Sequence, residues 1–381
     1  HRVLDYSAGA GEIYWINERG HYDRLVSSGS GQYRAENADG VLVERLGAPV
    51  DGWRIKRASG DELLFDGRGR LVQVGIGDTL RSLEYCAASD VADGLCSDPA
   101  ELVRVRSANG RSLVLRYGVN EQLVPGADAS IEVRRLLSIS DTSGIRVRYH
   151  YDEQARLVGV EYPTASGSSM VEYRYAEPSH MCRLHNGALE ANCDPAERAS
   201  VFREHLTGII DENGVRTADY TYDSRGRVTQ SQHAGNAKRV SLDYLSASQV
   251  RVTQPEGGSR LYTFSTGRFR KLLSSVEETT DGSVTGTTTH NINTSTFRRN
   301  YTVDARGTRT NYTHDTFRET GRTEALAANG ATTPLTRSYS STWDNTLNRM
   351  LTRTEPGREI RFAYNSRGQT TARCEVDLAV P

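Results

Sequence analysis

The sequence predicts an all-β chain of repetitive antiparallel hairpins joined into one long curved sheet, with one or two short helices in insertions. The first observation is the stretch Tyr220-Thr221-Tyr222-Asp223-Ser224-Arg225-Gly226-Arg227-Val228. Tyr220 and Tyr222 lie two apart, so on one face of a strand. Asp223 opens a four-residue turn that ends on Gly226, as a type I turn prefers, and Arg227-Val228 begins the returning strand. The second observation is that this pattern recurs. The third is composition: 19 Tyr against 7 Phe and 3 Trp, 35 Gly and only 36% hydrophobic residues. That balance suits short strands and a thin wall better than a thick helical core.

The copies follow in order. Phe65-Asp66-Gly67-Arg68-Gly69-Arg70-Leu71 is one, and Tyr149-His150-Tyr151-Asp152-Glu153-Gln154-Ala155-Arg156-Leu157 is another, with Ala155 in the glycine slot. Tyr301-Thr302-Val303-Asp304-Ala305-Arg306-Gly307 is weaker and is followed by Tyr312-Thr313-His314-Asp315. Phe362-Ala363-Tyr364-Asn365-Ser366-Arg367-Gly368-Gln369 carries Asn for Asp. Positions 66, 152, 223, 304 and 365 are separated by 86, 71, 81 and 61 residues, which leaves room for further hairpins between them.

Glycine turns precede most copies: Asn109-Gly110, Ser143-Gly144 before Ile145, Asn213-Gly214 and Pro356-Gly357. The unit is therefore strand, glycine turn, strand ending in Tyr-x-Tyr, Asp turn, strand; such units must stack on neighbours. Residues 1–60 form a β-rich lead-in, with short strands at 12–17, 23–26 and 53–56 punctuated by Gly20, Gly29, Gly31, Gly40 and Gly52. Residues 61–381 are the repeat region. Residues 274–300, rich in Ser and Thr, read as long polar strands or a surface loop.

Two insertions, near 86–101 and 182–203, resemble each other. Cys86 and Cys96 precede Asp98-Pro99-Ala100-Glu101; Cys182 and Cys193 precede Asp194-Pro195-Ala196-Glu197. Asp at the N-cap, Pro at the first helical position and Glu two residues on predict a helix start in each. Disulfides Cys86–Cys96 and Cys182–Cys193 account for both insertions and imply an oxidising destination, with Cys374 left over. The alternatives are reduced thiols in a precursor, or a zinc set of His180, Cys182, His185 and Cys193, whose spacing is untidy.

Charge and motifs exclude several classes. The 47 Lys+Arg and 48 Asp+Glu nearly cancel, so no field for nucleic acid or anionic lipid is evident. No apolar run reaches the length of a membrane span. Gly9-Ala10-Gly11 and Gly29-Ser30-Gly31 fit no phosphate loop, and no nucleophile-elbow or zinc-protease motif occurs, so no cofactor is expected. Asn293, Asn300 and Asn311 sit in glycosylation sequons that a Thr-rich stretch produces by chance. Asp66, Asp152, Asp223 and Asp304 could act as acids or calcium ligands; their place at the first turn position makes them turn formers instead. The Tyr-x-Tyr pairs could stack on sugars or bases, but cross-strand packing is the simpler use. The chain starts at His1 without a signal peptide and reads as a fragment or processed piece.

The Tyr-x-Tyr-Asp-x-x-Gly-Arg pattern resembles the YD repeat of the Rhs family, found in bacterial polymorphic toxins, related insecticidal toxin complexes and teneurins. The residues that carry the resemblance are Tyr149, Tyr151, Asp152, Tyr220, Tyr222, Asp223, Gly226, Arg227, Asp304, Gly307, Tyr364, Asn365 and Gly368, with Ile209-Ile210-Asp211-Glu212-Asn213-Gly214 as a lead-in. The resemblance spans roughly residues 60–375. It implies a β-ribbon wound into a hollow YD-repeat shell around a toxic C-terminal domain. It further implies secretion or display at the cell surface, with secretion-apparatus spike proteins and the rest of the same polypeptide as partners. Family members cleave themselves with acidic residues near the end of the shell; this chain stops at Pro381 without such a segment, so no catalytic residue carries over.

The expected function is a non-catalytic shell segment that encloses and delivers a toxin. The alternative is an extracellular module whose exposed tyrosines bind a glycan or cell-surface receptor, and an enzyme of propeller or sandwich fold ranks last. Burial of the tyrosines separates the first two.

Overall fold

The computed structural model describes residues 2–6, 12–29, 31–35, 41–48, 51–57, 59–76, 79–118, 134–144, 146–165, 167–267, 271–315, 318–366 and 368–378. Gly9, Ala10, Gly11, Ser30, Gly40, Ile145, Arg367 and Pro381 lie outside them. Among the described residues thirty strands run in chain order from β1 (Arg2–Tyr6) to β30 (Thr370–Asp377). Each pairs antiparallel with the next, so the chain is one unbroken meander. Among the described residues the chain is all-β apart from α1 (Ala88–Ala92), α2 (Pro195–Val201) and the single 3₁₀ turns at Pro178–His180 and Ala234–Asn236. Residues 274–300, left open between strands and loop, lie mostly in a long hairpin of β22 (Lys271–Thr280) and β23 (Ser283–Ile292).

The sheet curls first at its N-terminal end. Val3, Ile13, Trp15, Leu25, Val43, Trp53, Ile55, Leu63, Phe65 and Leu71 alternate with wetter residues and meet in one apolar core. The curl is closed by β1, whose Val3 N–H donates to the Gly69 carbonyl at 2.9 Å beside an Arg2–Arg70 bridge. Gly69 sits at φ 72°, and a Cβ there would lie 1.8 Å from the Val3 oxygen. Glycine is required by both backbone angle and space.

Many of the turns share one chemistry. In each, the first residue's N–H bonds the carbonyl four residues on, and the N–H three residues on bonds back to the first carbonyl. Asn17, Arg57, Asp66, Ser107, Asp152, Asp211, Asp223, Gln254, Asp304, Ala327 and Asn365 all open such turns. This is a type I turn followed by a residue at positive φ, the three-residue hairpin loop with a bulge. The Asn-Gly pairs at 109–110 and 213–214 are thus the third and fourth positions of this longer turn. Pro356-Gly357 is a true two-residue turn, flanked by the Glu355–Arg358 pair.

One predicted helix is corrected. Asp194 caps α2 as expected, accepting from the Ala196 and Glu197 N–H groups. Asp98 caps no helix: Cys86 N–H is bonded to the Glu101 carbonyl, and β10 (Leu102–Arg106) begins at once. With the next strand already registered, Asp98–Glu101 has room only for a turn. The helix of the first insertion is α1, inside the cysteine loop, started by Asp90 accepting from the Ala87 N–H.

A second, longer-range joint ties distant hairpins. Asn348, fully buried, donates to the Lys56 carbonyl at 3.0 Å, and Lys56 Nζ donates to the Thr346 carbonyl at 2.7 Å. Arg318, 4% exposed, donates to Asp315, Asn345 and Asn348 and lies over Trp343. Its charge is buried, so each of these acceptors is needed to offset desolvation.

The Gly69→Ala variant is expected to lose more than about 1 kcal/mol of stability, with the loss confined to the N-terminal curl. Hydrogen exchange reads it directly: the Val3 amide should lose protection while the Asp223 hairpin amides keep theirs.

Candidate functional site

The repeated residues form a clip. Asp223 Oδ1 accepts from the N–H groups of Arg225 and Arg227 at 2.9 and 2.8 Å, and Oδ2 accepts from Arg227 Nε at 2.7 Å. The aspartate therefore spends both oxygens inside its own turn. Fixed in this way, the Arg227 guanidinium lies 4.1 Å from the centre of the Tyr244 ring. The Tyr244 hydroxyl donates to the carbonyl of Val228, the residue just after that arginine, at 3.0 Å. Carboxylate, guanidinium, ring and carbonyl make a closed set that ties one hairpin to the next.

Two further copies are complete. Asp66 holds Arg70, which covers Tyr85, whose hydroxyl bonds the Leu71 carbonyl. Asp152 holds Arg156, which covers Tyr175, whose hydroxyl bonds the Leu157 carbonyl. Each hydroxyl–carbonyl bond contributes about 1 kcal/mol and each exposed arginine–ring contact about 0.5–1 kcal/mol. The other copies are reduced. Asp304 bonds its turn N–H groups, but Thr308 replaces the arginine. Asn365 Nδ2 donates to Gln369 Oε1, a neutral substitute for the ion pair, and Asn365 Oδ1 accepts from the Gln369 N–H.

The tyrosine just before the turn residue is tied in the same manner in three copies. Tyr151, Tyr222 and Tyr364 donate to the carbonyls of Leu136, Leu206 and Met350. Tyr151 and Tyr222 are 8% and 7% exposed, whereas Tyr149 and Tyr220 are half-buried. Burial pushes the Tyr222 hydroxyl up to about 12, with Tyr220 adding to the shift. These rings are ribs between strands, not a stacking platform.

Both insertions rest on clips. Cys86 is bonded to Cys96 and Cys182 to Cys193. The disulfide takes both sulfurs from the His180–Cys182–His185–Cys193 set, which leaves no thiolate there for zinc. Arg70 donates to the Pro99 carbonyl and Arg156 to the Arg203 carbonyl, so each clip arginine also holds the insertion beside it. The second insertion further covers the Asp223 turn: Ser224 donates from its N–H and hydroxyl to Glu190, and Gln230 donates to the His185 carbonyl.

The base of that insertion holds a cluster of titratable groups that sequence reading missed. Glu177 accepts from both Arg216 Nη groups at 3.1 and 2.6 Å and from the Thr207 hydroxyl at 2.6 Å. The arginine hydrogen bonds outweigh burial and hold the Glu177 carboxyl at about 2. Asp219 accepts from Arg216 Nε, His180 Nε2 and Gln232. Burial works to raise the Asp219 carboxyl, but the bonds from His180 and Gln232 prevail and hold it below the usual range. The donors and acceptors satisfy one another, so the cluster anchors the insertion on β17 (Arg216–Tyr222). Its members are 39 residues apart between Glu177 and Arg216, and no local spacing announces them.

Three outcomes test the clip and the anchor. Asp223→Ala is expected to cost about 3 kcal/mol, because it strands turn N–H groups and a guanidinium; Asp304→Ala, which has no arginine to strand, should cost about 1 kcal/mol by chemical denaturation. Ala155 occupies the glycine slot at φ 59°. Ala155→Gly should therefore stabilise by about 1 kcal/mol, whereas Gly226→Ala should destabilise, its Cβ falling 2.8–3.0 Å from His205 and Phe202. For Glu177 the folded carboxyl lies below its ordinary 4.5, so its contribution is present above about 4.5 and is lost as pH falls toward 2. Stability measured from pH 6 to pH 2.5 should fall less steeply in Glu177→Gln than in the parent.

No protein-family profile and no curated protein matches the chain. Among solved structures, 96% of the chain aligns with 18% of a chain in the TcdB2–TccC3–Cdc42 crystal structure, at 12% identity and a TM-score of 0.47. A chain of the TcdB2–TccC3 crystal structure aligns with the same figures. In the Photorhabdus luminescens Tc holotoxin pore, 88% of this chain aligns with 19% of the matched chain, at 14% identity and a TM-score of 0.45. The chain thus spans less than a fifth of these proteins, and at these scores the likeness by itself assigns neither family nor function.

Proposed function

We propose that this chain is a wall segment of an Rhs-type container: a non-catalytic sheet that encloses a polypeptide cargo, a toxic C-terminal domain, outside the cell that makes it. The observation that carries the reading is the clip. Its acids, arginines and tyrosine hydroxyls are consumed in joining hairpin to hairpin, so the most chemically able side chains of the repeat serve stiffness. The glycan-binding alternative loses Tyr151 and Tyr222, which are buried and hydrogen-bonded. Two disulfides support an extracellular destination, and no helix among the described residues is long and apolar enough to cross a membrane. Stretches of the same polypeptide complete the enclosure in this reading, and spike proteins of a secretion apparatus carry it.

The test is protection of a cargo. A protease-sensitive reporter fused after residue 381 should be cut at least tenfold more slowly than the same reporter alone, and should become sensitive in Asp66→Ala/Asp152→Ala/Asp223→Ala. Equal cleavage with and without the sheet would overturn the reading. Saturable micromolar binding to a neutral glycan, abolished in Tyr149→Ala/Tyr220→Ala, would favour the alternative.

A further inference from the structure

We propose that the first insertion is a redox-alternating zinc site: when Cys86 and Cys96 are reduced, their thiolates and the Glu101 carboxylate bind one Zn²⁺, and oxidation to the disulfide expels it. The site is independent of whether the wall encloses a cargo.

The two insertions carry the same Asp-Pro-Ala-Glu run, and it is used differently in each. After Cys193 it starts α2, and the Glu197 side chain is 60% exposed beside Arg198. After Cys96 it is a turn, because the Cys86 N–H holds the Glu101 carbonyl at 2.9 Å. Glu101 is thereby fixed beside Cys86, and its side chain, 12% exposed, reaches the cysteine pair. The sulfurs of Cys86 and Cys96 and a Glu101 carboxylate oxygen lie within 4.8 Å of one another. Among the described residues Cys182 and Cys193 have no third donor so placed.

The frame under these donors does not rest on the S–S bond alone. The Leu95 N–H donates to the Asp90 carbonyl at 2.9 Å, and the Leu95 carbonyl accepts from the Tyr117 N–H at 2.7 Å. The Ser97 N–H donates to Glu101 Oε2 at 2.8 Å. These bonds bracket Cys96 and keep its Cα 6.0 Å from that of Cys86. Two thiolates on one tetrahedral Zn²⁺ sit roughly 3.8 Å apart, a separation that side-chain rotation supplies at this backbone spacing.

Glu101 keeps a place for the ion. A carboxylate accepts at about four lone-pair positions. Arg134 Nε takes one at 3.0 Å, and the Ser97 and Asp98 N–H groups take two more. Two thiolates and Glu101 bring negative charge that Arg134 offsets only in part, and a divalent cation balances the rest. Thiolate donors select zinc over magnesium or calcium. Three protein ligands leave the fourth position to water.

Binding displaces one proton from each thiol. Oxidation by a small-molecule disulfide moves two electrons from the cysteine sulfurs to the oxidant. The Cys86–Cys96 bond forms, the oxidant's S–S bond breaks into two thiols that take up two protons, and Zn²⁺ leaves. A reducing compartment therefore holds the metal form and an oxidising one the disulfide.

The test uses the full chain, reduced with a phosphine, freed of metal and titrated without oxygen. Co²⁺ should give the visible absorption of a tetrahedral thiolate site at one equivalent per chain, and Zn²⁺ should displace it. The oxidised chain should give no such band. Cys182→Ser/Cys193→Ser and Cys374→Ser should keep the equivalent, and Cys86→Ser/Cys96→Ser should lose it. Glu101→Gln should weaken Zn²⁺ binding at least about tenfold. Zn²⁺ should slow exchange of the Tyr117 amide in the reduced chain, which shows that the loop is folded around the ion. Oxidised glutathione should release the Zn²⁺ to a chromophoric chelator. A reduced chain without the cobalt band, a band that survives Cys86→Ser/Cys96→Ser, or unchanged affinity in Glu101→Gln overturns the proposal. Cargo protection is read on the oxidised chain, so either result can fail without the other.

Discussion

The structure depends on a carboxylate that cannot leave its turn. In the Asp66, Asp152 and Asp223 hairpins the first turn residue must neutralise exposed N–H groups, and an aspartate does this with one oxygen. Its second oxygen then fixes an arginine four residues on, and the arginine fixes a tyrosine from a later strand. The order of cause matters. Turn closure comes first, the guanidinium is aimed by it, and the ring lies where the guanidinium and a carbonyl both want it. A sheet with 36% hydrophobic residues can hold together this way, because polar side chains link successive hairpins as apolar ones would in a thicker core.

The clip explains which parts of the fold were legible beforehand. Turns are local, so Asp223 and Gly226 announce themselves within four residues, and the strands between turns follow by alternation. The two cysteine loops were legible because each pair is close in sequence and lies where the repeat is interrupted. The aromatic half of the clip was not: Tyr85, Tyr175 and Tyr244 lie 15, 19 and 17 residues beyond their arginines, at or just past the ends of strands of unequal spacing. Asp98 shows the opposite failure. Its helix-start signal is genuine, but the pairing of Glu101 with Cys86 outranks a weak local propensity. The joint between Lys56 and Asn348 has no local signature at all.

The polar cluster under the second insertion is interlocked in the same way. Ser179, His180 and Asp219 are aligned at 2.9 and 2.7 Å, in the order of nucleophile, base and orienting acid. Asp219 is also held by Arg216 and Gln232, and Glu177 by Arg216 and Thr207. Ion pairs this interlocked anchor an inserted loop through a fixed arrangement of donors. Where the repeat keeps geometry and drops charge, as at Asn365–Gln369, the turn is unchanged in shape. Geometry is what the repeat preserves.

Every strand pairs with its neighbour in sequence, and this has a kinetic consequence. Nearly all backbone pairing is local, so loop-closure entropy is small at each step and the chain can fold as it leaves the ribosome, hairpin upon hairpin. Among the described residues two joints depart furthest from this rule: Val3 with Gly69, and Lys56 with Asn348 across 292 residues. The first closes over only 66 residues, from Val3 to Gly69, so it can form as soon as the strands between them have paired. The second closes over 292 residues and must wait for all the hairpins between them.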